Sequence, residues 1–247
     1  MRIPRVCFLL LAALAACAPA AVRPSPAITS SESLIQAMHD RYERTWYRTL
    51  SFTQTTTLAR PNDSTVVEEW REWASIPGGL RIEMGPPAGG RVTIFARDST
   101  FSLNRGQLVR AVNRTNALMT VGFDVYAQPV ERTLASLRAQ GFDLSRFHVD
   151  TLQGTPVYVV GALRGDSTSK QFAVEADRLL FIRLLEPAAN GQVMAIWFKN
   201  YERLAGGWIA PEVEAFVGTR RVLHEVYSNV RANDPVDPAM FDPRAPR

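Results

Sequence analysis

The chain carries three histidines, His39, His148 and His224, whose side chains are suited to proton transfer or metal binding near neutral pH. No two of them lie close in sequence, and the chain contains neither a His-Glu-x-x-His zinc motif nor a Gly-x-Ser-x-Gly nucleophile motif. His224 alternates with Val222 and Val226, which favours a structural histidine on a core face over a catalytic base. The residue pattern gives no positive evidence for catalysis, so we expect the protein not to be an enzyme.

Carboxylates near the C-terminus offer a second kind of chemistry. Asp234, Asp237 and Asp242 each precede a proline, and carboxylate oxygens are ligands that calcium prefers. Their spacing fits no calcium-binding loop, and Asp-Pro pairs are common in turns. The glycine-rich segment 85–90 is not followed by the Lys-Ser/Thr pair of a phosphate-binding loop. We therefore predict no metal and no cofactor.

The N-terminal residues have the pattern of an export signal. Arg2 and Arg5 precede an apolar run, residues 6–16, that is too short to cross a bilayer as a finished helix and is typical of a secretory signal peptide. The sequence Leu14-Ala15-Ala16-Cys17 resembles the bacterial lipoprotein box, which implies cleavage before Cys17 and acylation of its thiol. The alternative is an ordinary signal peptide that is cut nearby. We predict a signal peptide at 1–16 and a flexible tether at 17–28.

Cysteine usage fits this organisation. Cys7 and Cys17 are the only two cysteines, and Cys7 leaves with the signal peptide, so the exported domain has no disulfide. Lipid on Cys17 would then be the anchor to the membrane. In the sorting rule of lipoproteins, Ala18 after the lipidated cysteine implies the outer membrane, on its periplasmic face.

Charge argues against nucleic acid as a partner. The formal net charge is +4, and loss of Arg2 and Arg5 leaves 26 basic residues against 24 acidic ones, a net +2. The basic residues alternate with acidic ones rather than clustering, which differs from a nucleic-acid-binding surface. Residues 29–247 contain no second linker and are predicted to form one domain.

Two amphipathic helices are predicted. Leu34, Met38, Tyr42 and Trp46 recur at helical spacing and follow the capping residues Ser30-Ser31, which predicts a helix over about 32–50. A second helix is predicted to begin after Pro129 and to end before Gly141.

The rest of the chain reads as about thirteen strands that are separated by turn signals such as Asn104-Arg105-Gly106 and Asn190-Gly191. Between residues 155 and 231 several strands are apolar on both faces, so the sheet must be covered or curled on both sides. These patterns predict a mainly β (α+β) protein.

Four short motifs point to a family. Phe52-x-Gln54, Pro77-Gly78-Gly79-Leu80-Arg81-Ile82, Gly207-Trp208-Ile209-Ala210-Pro211 and the segment 233–241 together resemble the LolA/LolB superfamily, in particular exported outer-membrane lipoprotein-sorting-like proteins. The resemblance covers about residues 30–243. It implies an unclosed antiparallel half-barrel with helices covering the concave face, around an apolar cavity for acyl chains.

The sequence departs from that family at two places. In the soluble carriers, a basic residue just before the proline that corresponds to Pro77 holds the helical lid. This chain has Ile76 at that position. The anchored receptors display a large apolar side chain on a protruding loop, and the corresponding segment 85–90 has none. The resemblance therefore supports the fold more strongly than the transfer cycle.

The function that follows is binding of the acyl chains of a lipid or lipoprotein, in lipoprotein sorting to the outer membrane. The alternative is an envelope sensor or assembly module that uses the same fold to bind a periplasmic protein. Candidate cavity residues, chosen for size and alternation, are Trp70, Ile82, Met84, Phe95, Phe101, Ile182, Ile196 and Phe198.

Overall fold

The computed structural model describes residues 27–62 and 64–245. The predicted signal peptide, the predicted lipid attachment at Cys17 and nearly all of the predicted tether lie outside the described residues. Within the described part of the chain, no helix combines the length and the apolar character needed to cross a membrane.

Fifteen strands form in the described residues. Tight turns set their limits: Gly106, Gly154 and Gly191 sit between consecutive strands with φ of 77°, 82° and 80°, values that glycine adopts at little cost. The strands are β1 (Thr49–Ala59), β2 (Thr65–Ser75), β3 (Gly79–Met84), β4 (Arg91–Ala96), β5 (Ser99–Asn104), β6 (Gln107–Val112), β7 (Phe147–Leu152), β8 (Thr155–Val160), β9 (Gln171–Glu175), β10 (Phe181–Pro187), β11 (Val193–Lys199), β12 (Glu202–Leu204), β13 (Gly207–Ile209), β14 (Glu212–Val217) and β15 (Arg220–Ala232).

Thirteen of these strands make one sheet, in the order β6-β5-β4-β3-β2-β1-β15-β14-β11-β10-β9-β8-β7. Neighbouring strands in this order pair antiparallel, and the two end strands β6 and β7 do not pair with each other. Strands β12 and β13 form a separate hairpin. The predicted fold class, a mainly β unclosed antiparallel sheet with few helices, is confirmed.

Two segments of the 155–231 region are each divided into two strands. Residues 192–203 divide into β11 and β12, because Asn200 takes a positive φ of 58° between them. Residues 207–217 divide into β13 and β14 around Pro211, which has no N–H to donate to a ladder.

Three α-helices form in the described residues: α1 (Ser31–Tyr42), α2 (Ala117–Gly122) and α3 (Val130–Ala139). The Ser30 hydroxyl accepts a hydrogen bond from the Ser33 N–H at 3.1 Å and caps α1. The prediction that α1 reaches residue 50 was wrong. The chain turns after Tyr42, and beyond the turn Trp46 stacks on the Tyr126 ring at 4.0 Å.

The two faces of the sheet have different covers. The helices pack on the inner face, where the main core contains Leu34, Met38 and Phe172. The C-terminal tail packs on the outer face, where a 3-10 turn, Pro238–Phe241, places Phe241 against Val92 and Ile94. The cluster beneath the tail contains no described residue of the strands between 155 and 231, where the outer face carries a separate apolar cluster of Val157, Val159 and Ala173 with Ile182.

Candidate functional site

A cavity of about 100 Å³ lies between helix α2 and the inner face of the sheet. The sheet contributes side chains from β1, β2, β3, β11, β14 and β15, and the cover contributes Asn116, Leu118, Met119 and Phe123. Asn116 caps α2, since its side-chain oxygen accepts from the Leu118 N–H at 2.9 Å. The sheet residues that line this cavity are Leu50, Phe52, Glu72, Ala74, Leu80, Ile82, Phe198, Val213, Glu225 and Tyr227.

An adjoining groove of about 370 Å³ opens between the β4–β6 side of the sheet and strands β10 and β11. Asn116 and Leu118 line both spaces, so α2 forms their shared wall. The apolar part of the groove comes from Phe95, Leu184, Met194 and Ile196, with Arg110 and Arg114 at its rim.

Six of the eight predicted lining residues belong to the inner face. Ile82 and Phe198 line the cavity, and Phe95 and Ile196 line the groove. Trp70 and Met84 are cross-strand partners on the same face, farther along β2 and β3. The other two residues, Phe101 and Ile182, lie on the outer face and take no part in this site.

Specific features explain those two exceptions. Phe101 is opposite Ile94 in the ladder and joins the cluster beneath the C-terminal tail. At β10 the pairing shifts between Phe181 and Arg183, which is a β-bulge. The bulge puts Phe181 on the inner face against Phe198, whereas Ile182 packs with the outer cluster of Val157, Val159 and Ala173.

Polar side chains at one end of the cavity were missed in the sequence. Glu72 is 7% exposed and makes no hydrogen bond with any described residue, although it lines the cavity. Gln54 is 0% exposed, and its Oε1 has no partner among the described residues. Glu225 accepts a hydrogen bond from the Tyr227 hydroxyl at 3.4 Å. Glu72 lies two residues from both Trp70 and Ala74, so a strand places all three on one face. This spacing was the available sign that the carboxyl faces inward.

Burial governs the ionisation of both carboxyls. Burial raises the pKa of Glu225 to about 7, although hydrogen bonds from Gln54 and Tyr227 act in the opposite direction. Burial raises the pKa of Glu72 well above its usual range, and the charge of Glu225 raises it further. The site therefore joins an apolar space to two carboxyl groups whose pKa values are raised by burial, that of Glu225 to about 7.

The histidines do not meet at this site. His39 lies beside Glu43, and His148 Nδ1 is 3.1 Å from the Ala162 carbonyl. His224 is on the outer face rather than on a core face, with Nε2 3.1 Å from Glu212. Its strand neighbour Val226, paired with Thr55, is exposed.

One group in the described residues, Glu212, Glu214 and His224, has the spacing of metal ligands. Lys199 and Arg221 already pair with the two Glu214 oxygens, at 2.8 Å and 2.7 Å. These contacts describe an ion-pair network on the outer face, and we assign no metal to it.

A larger depression, about 580 Å³, lies beside α3 and carries Arg114, Arg132 and Lys170. Arg132 pairs with both Asp98 oxygens at 2.8 Å, and Lys170 pairs with Glu186 at 2.9 Å. Because these cations are already paired, the depression makes a weaker ligand site than the cavity.

Comparison with solved structures identifies the fold. No protein-family model matches the chain, and no curated protein matches it. Among solved structures, a LolA superfamily protein from Nitrosomonas europaea matches with a TM-score of 0.55 at 10% identity, over 84% of this chain and 97% of that one. The fold of this chain is LolA-like.

Two further solved structures agree with that fold. A DUF1329 family protein from Desulfovibrio piger has a TM-score of 0.57 at 14% identity, over 86% of this chain and 95% of that one. A domain from Vibrio parahaemolyticus, described as an outer membrane lipoprotein-sorting protein, has a TM-score of 0.56 at 14% identity, over 85% and 95%.

The helical cover is held on the sheet without a basic residue before Pro77. Ile76 occupies that position and is buried in the core. The neighbouring Gly78 N–H instead donates to Asp124 Oδ1 at 2.9 Å, which ties the cover to the β2–β3 turn. Tyr126 adds a second tie, since its hydroxyl accepts from the Phe181 N–H at 3.1 Å.

Proposed function

We propose that this protein is a lipid-anchored periplasmic protein that binds the acyl chains of a lipid or lipoprotein in the cavity and groove. We place it in lipoprotein sorting to the outer membrane and assign it no catalytic activity. The observation that carries the proposal is the apolar cavity between α2 and the half-barrel, with the groove running on from it past Leu118.

The size of the two spaces supports a chain-shaped ligand. Small-molecule sites in proteins typically occupy about 300–1,000 Å³. The cavity falls below this range at about 100 Å³, whereas the groove lies within it at about 370 Å³. A chain would therefore occupy the groove and insert one end beneath α2.

Hydrophobic burial would supply the affinity. Each buried methylene contributes roughly 0.8 kcal/mol, so a fully buried sixteen-carbon chain supplies roughly 13 kcal/mol before the costs of association. The inner face offers the apolar side chains Ile82, Phe95, Ile196 and Phe198 for that contact.

Native mass spectrometry of the mature protein, purified in mild detergent, tests the proposal. We expect a co-purifying lipid or acylated peptide at one copy per chain. Leu118→Asp places a charge in the shared wall and should abolish this species. Leu108→Asp is the matched control, because Leu108 lies on β6 and is 48% exposed. An empty wild-type protein, or equal loading of both variants, would contradict the proposal.

A second test concerns the anchor. Cys17→Ser removes the thiol that would carry lipid. We expect the variant to accumulate as an uncleaved precursor or to leave the membrane fraction. Unchanged cleavage and unchanged fractionation would argue for an ordinary signal peptide.

One feature favours the alternative, a module that binds a periplasmic protein. Strand β6 is an edge of the large sheet and is exposed along its length, with Leu108, Val109 and Val112 open to solvent. Exposed edge strands can accept a strand from a partner. A protein that is free of lipid but retains a partner, and loses it on Val109→Pro, would support this alternative.

A further inference from the structure

The cavity has a polar end that a simple acyl chain does not explain. Glu72 on β2 and Glu225 on β15 flank β1 on its inner face, and Gln54 lies between them on β1. Glu72 and Glu225 both line the cavity, and Tyr227 lies beside them. The cavity lining contains no lysine, arginine or histidine.

Two acceptors at this end lack donors. Glu72 is 7% exposed and has no hydrogen-bond partner among the described residues, and Gln54 Oε1 is buried without one. The Gln54 amide nitrogen is already used, because it donates to the Thr56 hydroxyl at 2.9 Å. A buried acceptor without a donor costs free energy, and a buried carboxylate without a cation costs more. A bound ligand that brings N–H donors and a positive charge would remove both costs.

We propose that the ligand of this site is a single-chain amphiphile with an amino group, whose ammonium faces Glu72 beneath α2 while its chain lies in the groove. This inference rests on the proposed function, because it assumes that the groove holds the chain. Glu225 then provides a further acceptor beside the ammonium, and Phe52, stacked on Tyr227 at 4.1 Å, forms an apolar side of the pocket.

The arrangement also selects against other head groups. A carboxylate would meet the two carboxyls of the cavity lining without any intervening cation, which is repulsive at low dielectric. An alcohol would provide one donor but no charge. Charge-assisted hydrogen bonds are about twice as strong as neutral ones, so the amine should bind most tightly.

Three probes with the same chain test this inference: dodecylamine, dodecanol and dodecanoate. Each is titrated below its micelle concentration into the mature protein, stripped of bound lipid, with isothermal calorimetry at neutral pH. We expect dodecylamine to bind about tenfold more tightly than dodecanol, the factor given by one charge-assisted hydrogen bond, and dodecanoate to bind most weakly.

Variants test whether Glu72 and Glu225 cause the preference for dodecylamine over dodecanol. Glu72→Gln keeps the shape of the side chain and should reduce the dodecylamine preference to about twofold or less. Glu225→Gln should reduce it partially. Glu69→Gln is the control, because Glu69 lies on the same strand and is exposed. Equal binding of the three probes, or a preference that survives Glu72→Gln, would overturn the amine assignment alone. Failure of all three probes to bind the folded protein would overturn the proposed function as well.

Discussion

Asp124 and Gly78 join the helical cover to the sheet through a hydrogen bond of 2.9 Å, from the Gly78 N–H to Asp124 Oδ1. Asp124 is almost fully buried in the segment that follows α2, and Gly78 lies in the turn between β2 and β3. Burial raises the pKa of Asp124 to about 7, against the opposing effects of the Gly78 N–H and the charge of Arg132. The contact that closes the cover is therefore sensitive to pH.

The sign of this sensitivity follows from linkage. An unfolded aspartate loses its proton near pH 4, whereas Asp124 in the folded protein holds it to about pH 7. The stability contributed by this group is thus complete below about pH 4 and is lost as the pH rises through about 7. Asp124→Asn keeps an oxygen acceptor for Gly78 but does not titrate. We expect the difference in free energy of unfolding, Asp124→Asn minus wild type, to increase from about pH 4 to about pH 7. The increase should be at most roughly 4 kcal/mol.

Urea unfolding at several pH values checks this prediction. Asp177→Asn serves as the control, because Asp177 is exposed in the turn before β10. Parallel stability curves for wild type and Asp124→Asn would show that the carboxyl titrates normally.

Tyr126 gives a prediction that does not depend on pH. Its hydroxyl donates to the Leu179 carbonyl at 3.2 Å and accepts from the Phe181 N–H at 3.1 Å. Tyr126→Phe leaves both buried backbone groups without a partner, so we expect a loss of about 1–3 kcal/mol in the free energy of unfolding. Tyr158→Phe is the matched control. Tyr158 is half-buried and stacks on Phe147, and its hydroxyl bonds to no described residue. Equal losses for the two variants would contradict the role of the Tyr126 hydroxyl.

Phe241 tests the separation of the two faces. It packs on the outer cluster with Ile94 and Leu103, on the opposite side of the sheet from the cavity. Phe241→Ala should lower the free energy of unfolding by about 3 kcal/mol and leave dodecanol affinity unchanged. Leu163→Ala, at a residue that is 62% exposed, should change neither quantity. A change in ligand affinity for Phe241→Ala would show that the tail and the cavity are coupled.

Strand positions were predictable from the sequence because the turns are local. Gly106, Gly154 and Gly191 each adopt a positive φ that other residues adopt only with strain, and such positions separate strands wherever the chain later packs. The end of α1 was not predictable in this way. Trp46 continues the apolar stripe of the helix but leaves it to stack on Tyr126, a residue distant in sequence.

Which residues line the cavity was only partly predictable. Alternation assigns residues to a face only when one face is covered and no bulge intervenes. Phe101 lies on a strand whose outer face is covered by a tail that is more than 130 residues away in sequence, at Phe241. The bulge after Phe181 reverses the alternation for Ile182. Glu72 was overlooked because a charged residue within a strand ordinarily faces water.

The last prediction concerns the pH dependence of ligand binding. Burial raises the pKa of Glu225 to about 7, and the pKa of Glu72 lies well above its usual range. Tyr227 is the other titratable group at this end, and burial raises its pKa well above 10, so it stays neutral. The cover brings no titratable side chain to the cavity, since it contributes Asn116, Leu118, Met119 and Phe123.

An uncharged ligand removes water from both carboxyls and so favours their protonated forms. Affinity for dodecanol should therefore rise several-fold as the pH falls from about 8 to about 6, whereas affinity for dodecylamine should fall, because the ammonium needs an ionised Glu72 or Glu225. Calorimetric titrations of both probes across this range measure the two slopes. The double variant Glu72→Gln with Glu225→Gln should flatten both of them, and Glu69→Gln should flatten neither. A carboxyl that contacts the head of the ligand should respond in opposite directions to an alcohol and to an ammonium. Slopes of the same sign for the two probes in wild type would therefore mean that the carboxyls do not contact the ligand.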